Sequence, residues 1–274
     1  MTHILYTIEE LKKQRATHNG PVVLVPTMGA LHEGHLSLVR LAQQIPAATV
    51  IVSIFVNPLQ FAEGEDLDAY PRTLEADVDK LTAVGADYVF APNPRDMYPQ
   101  GPRTTIHPGP AGTVLEGASR PTHFAGVLTV VHKLFALTNC THAIFGEKDY
   151  QQLLLIKQMV ADLNLNVNII AAPIVREKSG LAKSSRNQYL STEQTQLATT
   201  LWRALAAGQQ QHTKETILHA AQAIFEAEPD IKLDYLALRH NDLVSEPTAG
   251  ENRLLVAATV GETRLIDNVA VTLN

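Results

Sequence analysis

Through the first two-thirds of the chain, short apolar runs alternate with longer amphipathic stretches. Residues 22–25, 49–54, 87–90, 143–145 and 167–171 are short and mostly apolar, the pattern expected of strands covered on both faces. Between them, residues 36–45, 74–84, 127–137 and 150–163 carry apolar side chains at helical spacing. After Pro173 the rhythm changes. Residues 194–211 and 215–227 predict two helices, and residues 232–239, 253–260 and 263–266 predict strands, with a turn at Gly261-Glu262.

Strand–helix alternation followed by paired helices and adjacent strands predicts two architectures in one chain. The expected fold class is α/β: a Rossmann-like parallel sheet with helices on both faces, plus a smaller C-terminal α+β domain. A boundary near Arg176 gives domains of residues 1–176 and 177–274. Residues 91–122 are rich in Pro and Gly and are expected to make excursions over the sheet; such stretches are usually functional or mobile.

Composition narrows the partners. A net charge of −6 without a long basic run predicts no nucleic-acid partner. A phosphate-bearing small molecule stays compatible, because a local cradle of N–H groups needs no global charge. The single cysteine, Cys140, excludes an internal disulfide and a multi-cysteine zinc site. It reads as a core residue, with a lone nucleophile as the alternative. The N-terminal residues lack the charged and apolar regions of a signal peptide, and no apolar run reaches the ~20 residues that span a membrane. A cytoplasmic protein without a membrane partner is expected.

The chemistry concentrates in a few segments. Val25-Pro26-Thr27-Met28-Gly29-Ala30-Leu31-His32-Glu33-Gly34-His35-Leu36 leads from the first of these strands into a helix. In an open α/β sheet that junction is where ligands bind. Gly29 permits a tight loop, and Gly34 removes a side chain where a ligand could approach. The helix N-terminus would offer unpaired N–H groups to a phosphate, and His32 and His35 would face it together. Separate capping histidines are the structural alternative. A zinc site is another, but the spacing differs from His-Glu-x-x-His and no third ligand is evident.

Further blocks stand at comparable places. Phe55-Val56-Asn57-Pro58-Leu59-Gln60-Phe61 offers neutral hydrogen-bonding amides at Asn57 and Gln60, or is simply a polar loop turned by Pro58. Residues 115–127 contain His123 just ahead of a helix, suited to a substrate contact or to capping. Phe145-Gly146-Glu147-Lys148-Asp149-Tyr150-Gln151-Gln152 brings a mobile cation at Lys148 and a helix cap at Asp149, with Gln152 three residues on and able to share a face with it. Gly180-Leu181-Ala182-Lys183-Ser184-Ser185-Arg186 offers hydroxyls and a cationic fork suited to phosphate oxygens, or is a polar linker. Residues 176–180 would be a flexible connection.

His32-Glu33-Gly34-His35 resembles the His-x-Gly-His signature of the nucleotidyltransferase superfamily. The remaining blocks, in order, resemble the pantothenate synthetases (pantoate–β-alanine ligases), and Arg264-Leu265-Ile266-Asp267-Asn268 extends the likeness to the C-terminal region. The resemblance implies ATP-dependent condensation of pantoate with β-alanine through a pantoyl adenylate. It implies ATP contacts at Met28, Gly29, Ala30, Leu31, His32, Glu33, Gly34, His35, Gly146, Glu147, Lys148, Asp149, Val175, Lys183, Ser184, Ser185 and Arg186. Pantoate and β-alanine would meet Gln60, Gln152, Asn57 and His123. His32, His35, Lys148, Ser184, Ser185 and Arg186 would act in catalysis. Mg²⁺ would arrive with ATP, held by phosphate oxygens and water rather than by a protein cage, and a homodimer is implied. Two positions depart from the family pattern: Ser179 stands where aspartate is usual and Lys183 where an apolar residue is usual. The rival readings are another nucleotidyltransferase, a silent nucleotide sensor and a metallohydrolase.

Overall fold

The computed structural model describes residues 2–62, Gly64 and residues 67–274. The chain divides into two compact units, Met1–Glu147 with Gln152–Pro173, and Lys148–Gln151 with Ile174–Asn274.

In the first unit the chain runs β1 (His3–Leu5), α1 (Ile8–Arg15), β2 (Val22–Thr27), α2 (Glu33–Ala42), β3 (Thr49–Ile54), α3 (Leu74–Ala83) and β4 (Tyr88–Phe90). It continues through α4 (Pro94–Met97), α5 (Glu116–Ser119), α6 (His123–Thr138), β5 (His142–Gly146), α7 (Tyr150–Asp162) and β6 (Asn168–Ala172). The first two residues of α7 are counted with the second unit. All pairings are parallel, in the order β1-β4-β3-β2-β5-β6.

Side chains of β2 show why its sequence is apolar throughout. Val22 and Leu24 enter the cluster built with α6 and α7, while Val23 and Val25 enter the cluster built with α2 and α3. A strand buried on both faces has no polar side, and each buried aliphatic side chain contributes about 2 kcal/mol. Residues 91–122 hold two short helices, α4 and α5, and a 3-10 turn at Pro110–Gly112.

In the second unit α8 (Thr192–Gln209) and α9 (Lys214–Glu226) precede β7 (Ile231–His240), β8 (Gly250–Val260) and β9 (Thr263–Leu273), an antiparallel sheet in the order β7-β8-β9. Ser191 and Gln194 form a reciprocal cap on α8, and Thr213 and Thr216 on α9, satisfying N–H groups that a helix start leaves open. The architecture is the parallel α/β sheet and smaller α+β unit that the hydrophobic pattern predicts. Among the described residues, no helix is long and apolar enough to cross a membrane.

Candidate active site

The strand order sets the place of the site. The chain passes outward from β2 to β3 and β4, then returns to the other side of β2 with β5. That reversal is a topological switch point, where the carboxyl ends of neighbouring strands open a crevice. Three adjacent strands deliver three of the marked blocks there: Met28 to His35 after β2, Phe55 to Gln60 after β3, and Gly146-Glu147 at the end of β5. A Cβ added to Gly146 would meet no atom within 4 Å.

The loop after β2 is fixed by a residue that the sequence reading missed. Asp77 of α3 is wholly buried. Its carboxylate accepts from the backbone N–H of Ala30 and of Leu31, each at 2.8 Å, and from the Thr73 hydroxyl at 3.0 Å. Lys80 stands 3.7 Å from that carboxylate and donates to the Leu31 carbonyl at 2.7 Å. Gly29 sits at φ +84°, and a Cβ on it would come within 3.2 Å of Asp77 Oδ2 and of an Ile54 methyl. Its conformation therefore favours glycine, and its closeness to the brace leaves little room for a side chain. The available signal was an aspartate between Leu74 and Leu81 on an otherwise inward-facing stripe of α3.

His32 and His35 close the loop onto α2. His32 is the N-cap: its Nδ1 accepts from Gly34 N–H at 3.1 Å, while His35 Nδ1 accepts from His32 N–H at 3.3 Å. The rings lie 4.1 Å apart, centroid to centroid. A nitrogen that accepts carries no proton, so each neutral ring holds its proton on Nε2. The expected unpaired N–H groups are accounted for differently: those of Ala30, Leu31, Gly34 and His35 all have partners inside the protein. Capping and side-by-side presentation thus occur together. Glu33 is exposed and pairs with Arg40 along α2; Met28 is half-buried.

After β3 the amide of Asn57 is fully buried. Its Nδ2 donates to Gln60 Oε1 and to the Gly126 carbonyl, both at 3.1 Å, and its Oδ1 accepts from the Tyr98 hydroxyl at 3.0 Å and from Leu59 N–H at 3.4 Å. Both donor hydrogens and both lone pairs are engaged, which makes Asn57 an orienting group for Gln60. Burial pushes the Tyr98 phenol up to about 12, so it remains a donor at neutral pH. Gly126 allows the closeness of α6 and the Pro58–Gln60 turn, since a Cβ there would lie 2.1 Å from the Leu59 carbonyl oxygen. His123 is the first residue of α6. Its Nδ1 is 2.9 Å from the Gln60 carbonyl and its Nε2 is 3.3 Å from Arg120 Nη1. A carbonyl can only accept and a guanidinium can only donate, so the His123 proton sits on Nδ1. Gln152 is half-buried on α7 in this same unit.

The second unit holds the other marked residues. Lys148 is half-buried, and its ammonium is 4.0 Å from the exposed carboxylate of Asp149. Asp149 ends a 3-10 turn, Glu147–Asp149, that runs directly into α7, so it does not stand ahead of the helix as an isolated cap. Residues 175–183 are a hydrogen-bonded turn where a flexible connection was expected. Lys183 N–H donates to the Val175 carbonyl at 2.9 Å, Glu177 N–H to the Leu181 carbonyl at 2.8 Å, and Gly180 N–H to the Glu177 carbonyl at 2.9 Å. The Lys183 ammonium pairs with Glu177 at 2.5 Å across that turn. Ser184 then caps a 3-10 turn, Ser185–Tyr189, its Oγ accepting from Arg186 N–H at 3.3 Å. Among the described residues, no group of three or more His, Cys, Asp and Glu side chains is placed to hold a metal ion.

Residues 3–270 match the family described as pantoate-beta-alanine ligase. The chain is 65% identical over 268 residues to the pantothenate synthetase of Corynebacterium jeikeium, covering 97% of this chain and 88% of that one. It is 61% identical to that of Nocardia farcinica, covering 92% and 80%. The crystal structure of pantothenate synthetase from Thermus thermophilus superposes with a TM-score of 0.92 at 45% identity, covering 98% of this chain and 99% of that one. A pantoate-beta-alanine ligase from Francisella tularensis, in complex with beta-gamma ATP and β-alanine, does so with a TM-score of 0.84 at 36% identity, covering 98% and 97%. With a family match over nearly its full length and close relatives on both sequence and structure, the chain belongs to the pantoate–β-alanine ligase family, the pantothenate synthetases.

Proposed function

We propose a division of labour for the reaction that this enzyme catalyses, the ATP-dependent condensation of pantoate with β-alanine through pantoyl adenylate. The observation that carries it is the delivery of three marked blocks by the adjacent carboxyl ends of β3, β2 and β5. Gln60 and Gln152 hold pantoate by its hydroxyls and carboxylate, with Asn57 and His123 fixing the segment that carries Gln60. A pantoate carboxylate oxygen attacks the α-phosphorus of ATP in line, and the bond to pyrophosphate breaks. The amine of β-alanine then attacks the activated carbonyl, AMP leaves, and the amine proton passes to solvent.

Met28, Gly29, Ala30, Leu31 and Glu33 to His35 line the nucleotide, with Gly146, Glu147, Asp149, Val175 and Lys183. Their contribution in the loop after β2 is shape rather than backbone donors, because the N–H groups of Ala30 and Leu31 already serve Asp77. His32 and His35 donate from Nε2 to phosphate oxygens as negative charge shifts toward the leaving group. Lys148, Ser184, Ser185 and Arg186 spread the same charge. No covalent enzyme intermediate is needed, so alignment and electrostatics carry the rate.

Mg²⁺ enters with ATP as part of the substrate. Its charge neutralises phosphate oxygens, which supply most of its ligands. The second unit, residues 177–274 in the sequence reading, acts as a lid that excludes water from the adenylate. A homodimer in the cytoplasm completes the reading; the dimer rests on the family resemblance.

The test is AMP release from purified protein with ATP and Mg²⁺, adding pantoate and β-alanine separately and together. Release that requires both, with pantothenate as product, is expected. A His35→Ala variant should fold and lose kcat for adenylation. Undiminished adenylation by that variant would reject the role given to His35.

A further inference from the structure

The block Arg264-Leu265-Ile266-Asp267-Asn268 carries no role in the reaction as described so far. Within the second unit its last two residues reach the two segments that carry the phosphate-binding cations. Successive residues of a strand point to opposite faces, and β9 uses that alternation at Asp267 and Asn268.

Asp267 is buried, at 4% exposure. Its carboxylate accepts from Arg176 at both oxygens, Nη1 to Oδ2 at 2.5 Å and Nη2 to Oδ1 at 3.0 Å. The Arg176 guanidinium also lies 3.9 Å from the centre of the Trp202 ring and donates to the Gly180 carbonyl at 3.1 Å. Gly180, at φ +91°, is pressed so close to that indole that a Cβ would fall 1.9 Å from Trp202 Cδ1. The turn that leads into Ser184 is thereby clamped from both sides.

Asn268, at 2% exposure, donates from its backbone N–H to Asp267 Oδ1 at 2.8 Å and from Nδ2 to the Lys148 carbonyl at 3.0 Å. The Lys148 segment has further ties to this unit. The Arg253 guanidinium stacks 3.9 Å from the centre of the Tyr150 ring, and the Tyr150 hydroxyl donates to the Asn241 carbonyl at 3.3 Å. Residues Lys148–Gln151 accordingly belong to the second unit although the chain on either side belongs to the first.

We propose that Asp267 and Asn268 are positioning residues that fix the spacing between Lys148 and the Ser184-Ser185-Arg186 block, so both meet the triphosphate as one preorganised set. The inference rests on the assignment of those residues to ATP. Its physical content is that a catalytic donor must be held within about 0.5 Å of its working position, and a long lysine side chain achieves this only if its backbone is fixed. Asn268 fixes it on one side of the strand while Asp267, through Arg176, fixes the serine–arginine turn on the other.

Pre-steady-state formation of pantoyl adenylate by the full-length protein tests the proposal. Asn268→Ala should slow adenylation about tenfold while the KM for pantoate stays within about twofold and thermal unfolding is little changed. In the double variant with Lys148→Ala, the rate should be no lower than for Lys148→Ala alone, because the asparagine acts through the lysine. Asn268→Asp keeps the shape but replaces the donor with an acceptor facing the Lys148 carbonyl. It should slow adenylation as much as Asn268→Ala, and it serves as the probe if the alanine variant does not fold. Wild-type adenylation by the folded variant, or losses that multiply in the double variant, would overturn the proposal while leaving the site assignment in place. Wild-type adenylation by Lys148→Ala would instead remove the assignment on which it rests.

Discussion

In the first unit a buried carboxylate, Asp77, holds the loop after β2 by two successive N–H groups. In the second a guanidinium, Arg176, holds the turn before Ser184 by a carbonyl, while its own charge is balanced by Asp267. Both braces are charge-assisted and largely buried, and their signs are opposite. The consequence for phosphate recognition differs. A carboxylate brace consumes N–H groups, the backbone's own anion ligands, so under the proposed function phosphate recognition at that loop falls to the imidazoles of His32 and His35. A guanidinium brace consumes carbonyls and does not compete with a phosphate. Backbone rigidity and backbone anion binding are therefore alternatives in the first unit and compatible in the second.

The largest expected effect is from Asp77→Ala, which strands two inward-facing N–H groups. Loss of on the order of 4 kcal/mol is expected, with adenylation reduced about a hundredfold by misplacement of the histidines. Urea denaturation and adenylate formation measure the two, and retention of both would break the comparison. Arg176→Ala leaves the Asp267 carboxylate buried without its partner and should cost about 3 kcal/mol. Arg176→Lys keeps the charge but loses the fork and should fall between that variant and wild type. Equal loss from the two substitutions would show that charge removal is not what matters.

A smaller effect should follow Tyr98→Phe, which removes one hydrogen bond to the Asn57 amide. About 1 kcal/mol, read as a roughly fivefold rise in the KM for pantoate, is expected. Because burial pushes the phenol up to about 12, the ratio to wild type should stay flat from about pH 6 to about pH 10; a rising ratio across that range would contradict the geometry. The smallest effect concerns Asp242, whose carboxyl is held well below the usual range by hydrogen bonds from the Ser245 side chain and backbone, with a further one from Val244 N–H. A depressed native value adds stability above the unfolded value of about 4, and that stability is lost as pH falls toward the native value. Asp242→Asn should thus melt slightly below wild type at pH 7, with the gap closing in acid. A gap independent of pH would assign the loss to geometry rather than charge.

How much of this was legible in the sequence depends on the range of the interactions. The interior strands announced themselves because β2 and β3 are buried on both faces, and the three antiparallel strands because short runs adjoin a clear turn. The hydrophobic pattern does not predict the edge strand β1 or helix α1: β1 spans three residues, and α1 buries only Leu11. Thr7 and Glu10 form a capping box there, a local signal that was present. Strand β9 runs to Leu273, beyond the predicted end at residue 266, because buried Asp267 and Asn268 interrupt the apolar pattern with side chains that serve distant segments. In the site, the histidine pair and the glycines stood out because their chemistry is local. Asp77, Tyr98 and the Arg176–Asp267 pair did not, because their partners lie 46, 41 and 91 residues away and only the fold brings them together.

Cys140 lies in the core at 3% exposure, and burial pushes its thiol up to about 11. At pH 8 roughly one molecule in a thousand would carry the reactive thiolate, and a reagent would have to enter the core to reach it. As the chain's one cysteine, it makes the wild-type protein a silent background for labelling. A pair of surface cysteines, one introduced in each unit, would take fluorescent dyes at those two positions alone. Energy transfer between them would report whether the distance between those two positions changes during turnover.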